Sequence, residues 1–107
     1  STEMSVRYTK DARNQIRSIR AYSQRRWGQE VAELYAQSLR VTMTEILDRK
    51  PSPGLNRSND LGEGILSFPC ESHLIYYRET DYGIVILGVL HHSQDAVRHL
   101  PHSNSPA

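Results

Sequence analysis

Three histidines are the residues of this chain best fitted to move protons: His73 and the adjacent pair His91 and His92. An imidazole titrates close to neutral pH, so it can take or give a proton under ordinary conditions. Each of the three falls at the end of an apolar run that reads as a strand. They are therefore expected at neighbouring strand ends. Two readings are open: acid–base chemistry, or polar caps on a sheet edge, which is the commoner case. A metal centre is not expected. No Asp, Glu or Cys stands at a ligand spacing within one helix, and the single Cys70 cannot build a thiolate site. Cys70 reads instead as a small core filler.

The second chemical feature is cationic. Lys10, Arg13, Arg17 and Arg20 recur at helical spacing, and Arg25 and Arg26 continue the stripe. Such a stripe is either a solvated helix face or a docking strip for an acidic segment. Glu30, Glu33, Glu45 and Asp48 follow on the next segment, so some charges are expected to pair across to it. Lys and Arg total 13 against 12 Asp and Glu, a net charge of +1. Net charge therefore does not mark a nucleic-acid binder.

The elements that must position these groups are legible from periodicity. Ser5 to Thr9 alternates and reads as a short strand. Thr9 is a candidate N-cap, with Asp11 in the first turn. Ala12, Ile16, Ile19 and Tyr22 form one apolar helix face, which stops at Trp27-Gly28. A second helix runs from about Gln29 to Arg49 on Ala32, Tyr35, Leu39, Met43 and Ile46. The connection is so short that the two helices must form an antiparallel hairpin. Trp27, at its corner, is expected to plug the end of the core. Pro51, Pro53 and Gly54 open a loop. Ile65 to Cys70 reads as an irregular strand because of Pro69, and His73 to Glu79 as a stronger one. Thr80 to Gly83 is a turn. Ile84 to Leu90 is a central, doubly covered strand. The last three strands form an antiparallel meander under the hairpin. Of Tyr76 and Tyr77, one is expected to pack and the other to face outward beside Arg78. Asp95 to Leu100 reads as one helical turn.

A chain of 107 residues is one domain's worth. Residues 1–100 are read as a single domain and 101–107 as a flexible tail. Met4 is a candidate native start, with Ser1 to Glu3 added ahead of it. No apolar run approaches a membrane span and no signal sequence is visible. With one cysteine, a cytoplasmic location is expected.

The local sequence is more specific than the element order. Tyr22, Arg26-Trp27-Gly28, Ala32 and Tyr35 resemble the helical-hairpin signature of ParE toxins. Ser67-Phe68-Pro69, Ser72-His73 and Ile75-Tyr76-Tyr77-Arg78 resemble the family's next strands. Gly83 to Ile86, Val89-Leu90-His91 and Asp95 resemble its final strand and C-terminal turn. Taken in order, these motifs identify the chain as a member of the RelE/ParE superfamily of type II toxin–antitoxin systems. The fold implied is α+β: an N-terminal strand, then an antiparallel helical hairpin packed on a small antiparallel sheet, β-α-α-β-β-β.

The resemblance implies a toxin without cofactor or metal that inhibits DNA gyrase. It also implies a ParD-like ribbon-helix-helix antitoxin as partner. Operator DNA would be reached only through the antitoxin, in a heterotetramer or larger assembly, with no membrane involved. The antitoxin's C-terminal segment would fold onto the toxin. Tyr8, Ile16, Ile19, Tyr22, Tyr35 and Leu39 are expected in its groove, with Arg13, Arg17, Arg20 and Arg78 on the rim. His91, His92, Asp95 and Arg98 are expected to face the target. RelE-type relatives instead cleave mRNA on the ribosome, and place arginines on strands where this chain has His73 and His91 or His92. Arg98 falls near their C-terminal Tyr. If cleavage occurs here, His73, His91 and His92 would carry it. Glu63 to Leu66 and His92 to Gln94 replace stretches that are more basic in the family. That leaves a third reading, a non-toxic member that still binds antitoxin.

Overall fold

The computed structural model describes residues 5–49 and 54–100. Met4 as a start, the breakers Pro51 and Pro53, and the tail at 101–107 lie outside the described residues. The elements are β1 (Ser5–Tyr8), α1 (Lys10–Trp27), α2 (Gln29–Asp48), β2 (Leu55–Asn56), β3 (Leu66–Cys70), β4 (His73–Thr80), β5 (Gly83–His91) and α3 (Ala96–His99).

The hairpin begins and turns where the residue types require it. Thr9 Oγ1 accepts the Ala12 N–H at 3.1 Å and caps α1. Gly28 sits at φ 92°, a backbone state that a side chain would strain. Its N–H closes α1 on the Gln24 carbonyl, and its own carbonyl receives the Ala32 N–H of α2. One glycine therefore ends one helix and begins the next.

The five strands are ordered β1-β5-β4-β3-β2. The meander β3-β4-β5 is antiparallel as expected, but β1 pairs in parallel with β5, so the sheet is mixed. Alternation in Ser5–Tyr8 fixes which side chains point inward and carries no information on strand direction. The hairpin returns the chain on one side of the sheet, and β1 meets the last strand instead of its chain neighbour. The two-residue β2 pairs with β3 through Leu55 and Asn56 and is too short to show a period.

Both faces of the sheet are covered. Under the hairpin, Ile75, Tyr77, Ile84, Ile86 and Val89 meet Ala12, Leu39, Met43 and Ile46. On the other face Tyr76, Val85, Leu87 and Leu90 pack under Ile65, Ala96 and Leu100. Tyr76 and Tyr77 do take opposite faces, yet both are buried, so neither points outward as expected. The loop before β3 and the α3 turn supply the missing cover. Arg57 fastens that loop, with its guanidinium 2.6 Å from Asp60 and stacked over the Tyr76 ring.

Strand β5 changes phase part-way. Tyr76 pairs with Gly88 and Tyr77 with Ile86, so Leu87 is an extra residue in a β-bulge. That is how Ile84, Ile86 and Val89 can all face the hairpin. The bulge is held from the start of α1. The Thr9 hydroxyl donates to the Leu87 carbonyl at 3.1 Å, and Gln15 Oε1 accepts the Val89 N–H at 2.8 Å. A Cβ on Gly88 would lie 2.6 Å from Leu100 Cδ2 and 3.0 Å from Gln15 Oε1. The bulge is therefore the point where α1, β5 and the C-terminal turn are packed together.

Candidate functional site: two grooves on the flanks of helix α1

The face of α1 made by Ala12, Ile16, Ile19 and Ser23 turns toward the core. A helical period then sends Arg13, Arg17 and Arg20 to one flank and Ser18, Tyr22 and Arg26 to the other. Each flank borders a groove.

The first groove lies between α1, α2 and the end of β1. Tyr8, Ile16, Ala36, Leu39 and Met43 line it together with Arg13, Arg17, Arg20 and Arg40. Its volume is about 640 Å³. Among the described residues, only Arg20 of these arginines pairs with a carboxylate. It meets Glu33 at 3.5 Å, with both side chains about half exposed. Such an exposed pair contributes little stability and is easily exchanged for another partner. Among the described residues the expected pairing across the hairpin is confined to this contact, and Arg13, Arg17 and Arg40 meet no carboxylate there. Arg40 was not singled out from the sequence. Its spacing from Ala36 and Met43 places it on this flank, but the acidic residues around it on α2 mask that signal.

The second groove opens between the C-terminal half of α1 and the ends of β4 and β5. Ser18, Ile19, Tyr22, Arg26, Trp27, Tyr35, Ser72, His73 and His91 line it. Tyr22 and Trp27 meet edge to face, with centroids 5.8 Å apart and planes at 84°. Both are 53% exposed, so Trp27 does not plug the core as expected. Opposite stands a row of rings. The Tyr35 hydroxyl is hydrogen-bonded to His73 Nδ1 and to the Ser72 hydroxyl. His73 and His91 are register partners with perpendicular rings 5.4 Å apart, and His92 lies 4.2 Å beyond His91.

Burial pushes the His73 imidazole down to about 4, and repulsion from His91 and His92 adds to the effect. His73 is therefore neutral at physiological pH. It can exchange hydrogen bonds but offers no positive charge to a phosphate. The His91 Nδ1 accepts the Ser93 N–H at 3.2 Å and also contacts the Ser93 hydroxyl. His92 is exposed, and its N–H bonds the Ser72 carbonyl. Among the described residues no group of three His, Cys, Asp or Glu could hold a metal ion.

The sequence places all of the expected groove residues in one surface; the structure divides them. Tyr8, Arg13, Ile16, Arg17, Arg20 and Leu39 share the first groove, whereas Ile19, Tyr22 and Tyr35 belong to the second. Arg78 joins neither. Tyr77 faces the hairpin, so Arg78, the next residue on β4, is directed to the opposite face. There it lies near Glu63, Gly64 and Glu79. Asp95 has a structural task, because its carboxylate accepts the Val97 N–H at 3.1 Å and caps α3. Arg98 is exposed on that turn, while Ala96 and Leu100 anchor it. Cys70 is a buried filler beside the Thr42 hydroxyl.

Comparison with known proteins agrees with this architecture. Residues 6–96 match the family model described as ParE toxin of type II toxin-antitoxin system, parDE. The chain is 33% identical over 95 residues to Toxin ParE1 of Caulobacter vibrioides, covering 88% of this chain and 95% of that protein. It also resembles a solved chain described as the chromosomal ParDE TA system from P. aeruginosa. That likeness has a TM-score of 0.66 at 22% identity, covers 85% of this chain and 98% of the other, and speaks for the fold.

Proposed function

The chain belongs to the ParE toxin family of type II toxin–antitoxin systems, and from that premise we propose that it inhibits DNA gyrase in the cytoplasm and is neutralised by a ParD-like antitoxin. The observation that carries the antitoxin half is the first groove. Its floor is apolar and its rim holds four arginines, of which only Arg20 pairs with a carboxylate among the described residues. An amphipathic segment with acidic flanks fits such a surface: apolar side chains enter the groove and carboxylates meet the rim. The solved relative's description as a ParDE system supports the same class of partner. The antitoxin would be a ribbon-helix-helix protein that carries the pair to operator DNA in a heterotetramer or larger assembly.

His91, His92 and Arg98 are the target-facing candidates, since the two histidines stand side by side at the end of β5 and Arg98 is exposed on the turn that follows. Asp95 shapes that turn. Messenger RNA cleavage fits the geometry less well. A general acid or base works best with a pKa near the operating pH, and His73 lies well below it.

The antitoxin half is tested by titrating the chain with its antitoxin's C-terminal segment and following backbone amide shifts. Shifts at Tyr8, Arg17, Leu39 and Arg40 are expected. Shifts confined to α3 or to the Glu63–Arg78 end would overturn the groove assignment.

A further inference from the structure

We propose that the second groove is a binding site for a nucleotide unit, with the base stacked on the Tyr22 ring, the perpendicular Trp27 ring at its edge, and the phosphate met by Arg26. This site is separate from the proposed antitoxin groove and shares only His91 with the target-facing residues of the gyrase reading.

Five observations converge. Tyr22 and Trp27 are neighbouring large aromatics that remain half exposed, and their edge-to-face arrangement leaves ring surface open to a ligand. Base stacking on such rings is tolerant of sequence because every base has a π face. Arg26 follows Tyr22 by one helical turn and is exposed, and among the described residues it has no carboxylate partner. No Asp or Glu lines the groove, so an anion entering it meets no repulsion from its walls. The far wall carries the Tyr35 and Ser72 hydroxyls and the His73 and His91 imidazoles. These are hydrogen-bonding groups of the kind that read a base edge, and His73 stays neutral at working pH. The volume, about 640 Å³, suits a small polar ligand.

The groove on the other flank differs on each point. It has a longer aliphatic floor, four guanidinium groups and Tyr8 as its single ring. A peptide with an apolar stripe belongs there, and a planar anion belongs here. Stacking and phosphate contact are shared by a free mononucleotide and by a single-stranded nucleic acid, and the test separates the two.

Trp27 is the single tryptophan of the chain, so its fluorescence reports on this groove. The full chain is titrated with adenosine monophosphate, with adenosine and with a short oligoadenylate. The expected result is saturable quenching by a phosphate-bearing probe, weaker with adenosine. Quenching by the monophosphate assigns a free nucleotide, and quenching by oligoadenylate alone assigns a strand. Tyr22→Ala should weaken binding about tenfold, the usual order for loss of one stacking ring. Arg26→Glu should abolish the preference for phosphate. Amide shifts at Ser72 and His91 on the same titration supply a reading that does not depend on Trp27. Three results would overturn the proposal: no saturable response from any of the probes, equal weakening by Arg17→Glu on the opposite flank, or a response only to the antitoxin's C-terminal segment.

Discussion

On one flank of α1, Arg13, Arg17 and Arg20 stand over an aliphatic floor of Ile16, Leu39 and Met43. On the other, Tyr22, Arg26 and Trp27 face imidazoles and hydroxyls. The two grooves enclose similar volumes and share a helix, yet they differ in chemistry. The first has a charged rim and a dry floor, which suits a long amphipathic partner. The second has open rings and a wall of imidazoles and hydroxyls, which suits a planar ligand. The difference arises from helix phase alone. Residues adjacent in sequence, such as Arg17 and Ser18, are rotated about a quarter-turn apart and enter different surfaces. A stripe read along the sequence therefore says little until the core-facing side of the helix is fixed.

Both flanks depend on the same support, and the largest expected effect comes from removing it. Ile86 is fully buried beneath α1 and α2. Ile86→Ala is expected to cost about 2–5 kcal/mol in chemical denaturation and to weaken ligand binding in both grooves. A loss confined to one flank would mean that the two are not carried by a common base.

The next effect is at the bulge. Gln15→Leu removes the acceptor for the Val89 N–H and is expected to cost about 1–3 kcal/mol, read as a shift in the denaturation midpoint. A cost near zero would show that this side chain does not hold the strand. The paired reversal Arg17→Glu with Arg20→Glu sharpens the comparison directly. Association with antitoxin should slow by about tenfold at low salt, with a flatter salt dependence and an unchanged fold. An unaltered association rate would remove the arginine rim from the docking surface.

The second flank carries a pH signature. His73 titrates at about 4 in the folded chain against an ordinary 6.5, so above 6.5 it is neutral folded or unfolded. As pH falls from 6.5 toward 4, the unfolded chain takes up a proton that the folded chain refuses. Stability present above 6.5 is then lost progressively, and the loss levels off below 4. His73→Gln should flatten that part of the pH–stability curve, as measured by urea midpoints, and an unchanged slope would contradict the burial argument. The smallest effect is expected at Trp27. With half of its surface exposed, Trp27→Ser should change stability by about 0.5 kcal/mol or less while altering the second groove.

Most of the fold was legible because its signals are local and repeated. The spacing of Ala12, Ile16 and Ile19, the stop at Gly28 and the apolar run Ile84–Leu90 each point to one element, and the structure has them. Direction and phase were less legible. Nothing in Ser5–Tyr8 distinguishes parallel from antiparallel pairing. The bulge at Leu87 arises from pairing with β4 and from contacts 78 and 74 residues away in sequence, at Thr9 and Gln15. Sequence alone puts Arg78 on a groove rim and one of Tyr76 and Tyr77 facing outward beside it, because the cover over the second face, from Ile65 and Leu100, is not encoded near them.

The same cover changes how the C-terminal segment can be tested. Deleting the chain from Asp95 would strip Ala96 and Leu100 from Leu87 and Leu90, so loss of toxicity would be confounded with loss of packing. Arg98→Glu, at an exposed position, is the cleaner variant.

The central claim is that this chain acts on gyrase and is silenced through the arginine-rimmed groove. The most direct measurement is supercoiling of relaxed plasmid by gyrase, titrated with the purified chain, with and without antitoxin. The predicted result is inhibition with accumulation of cleaved DNA, relieved by antitoxin and relieved less effectively when Arg17 and Arg20 are reversed. Full supercoiling at a large excess of the chain would contradict the account.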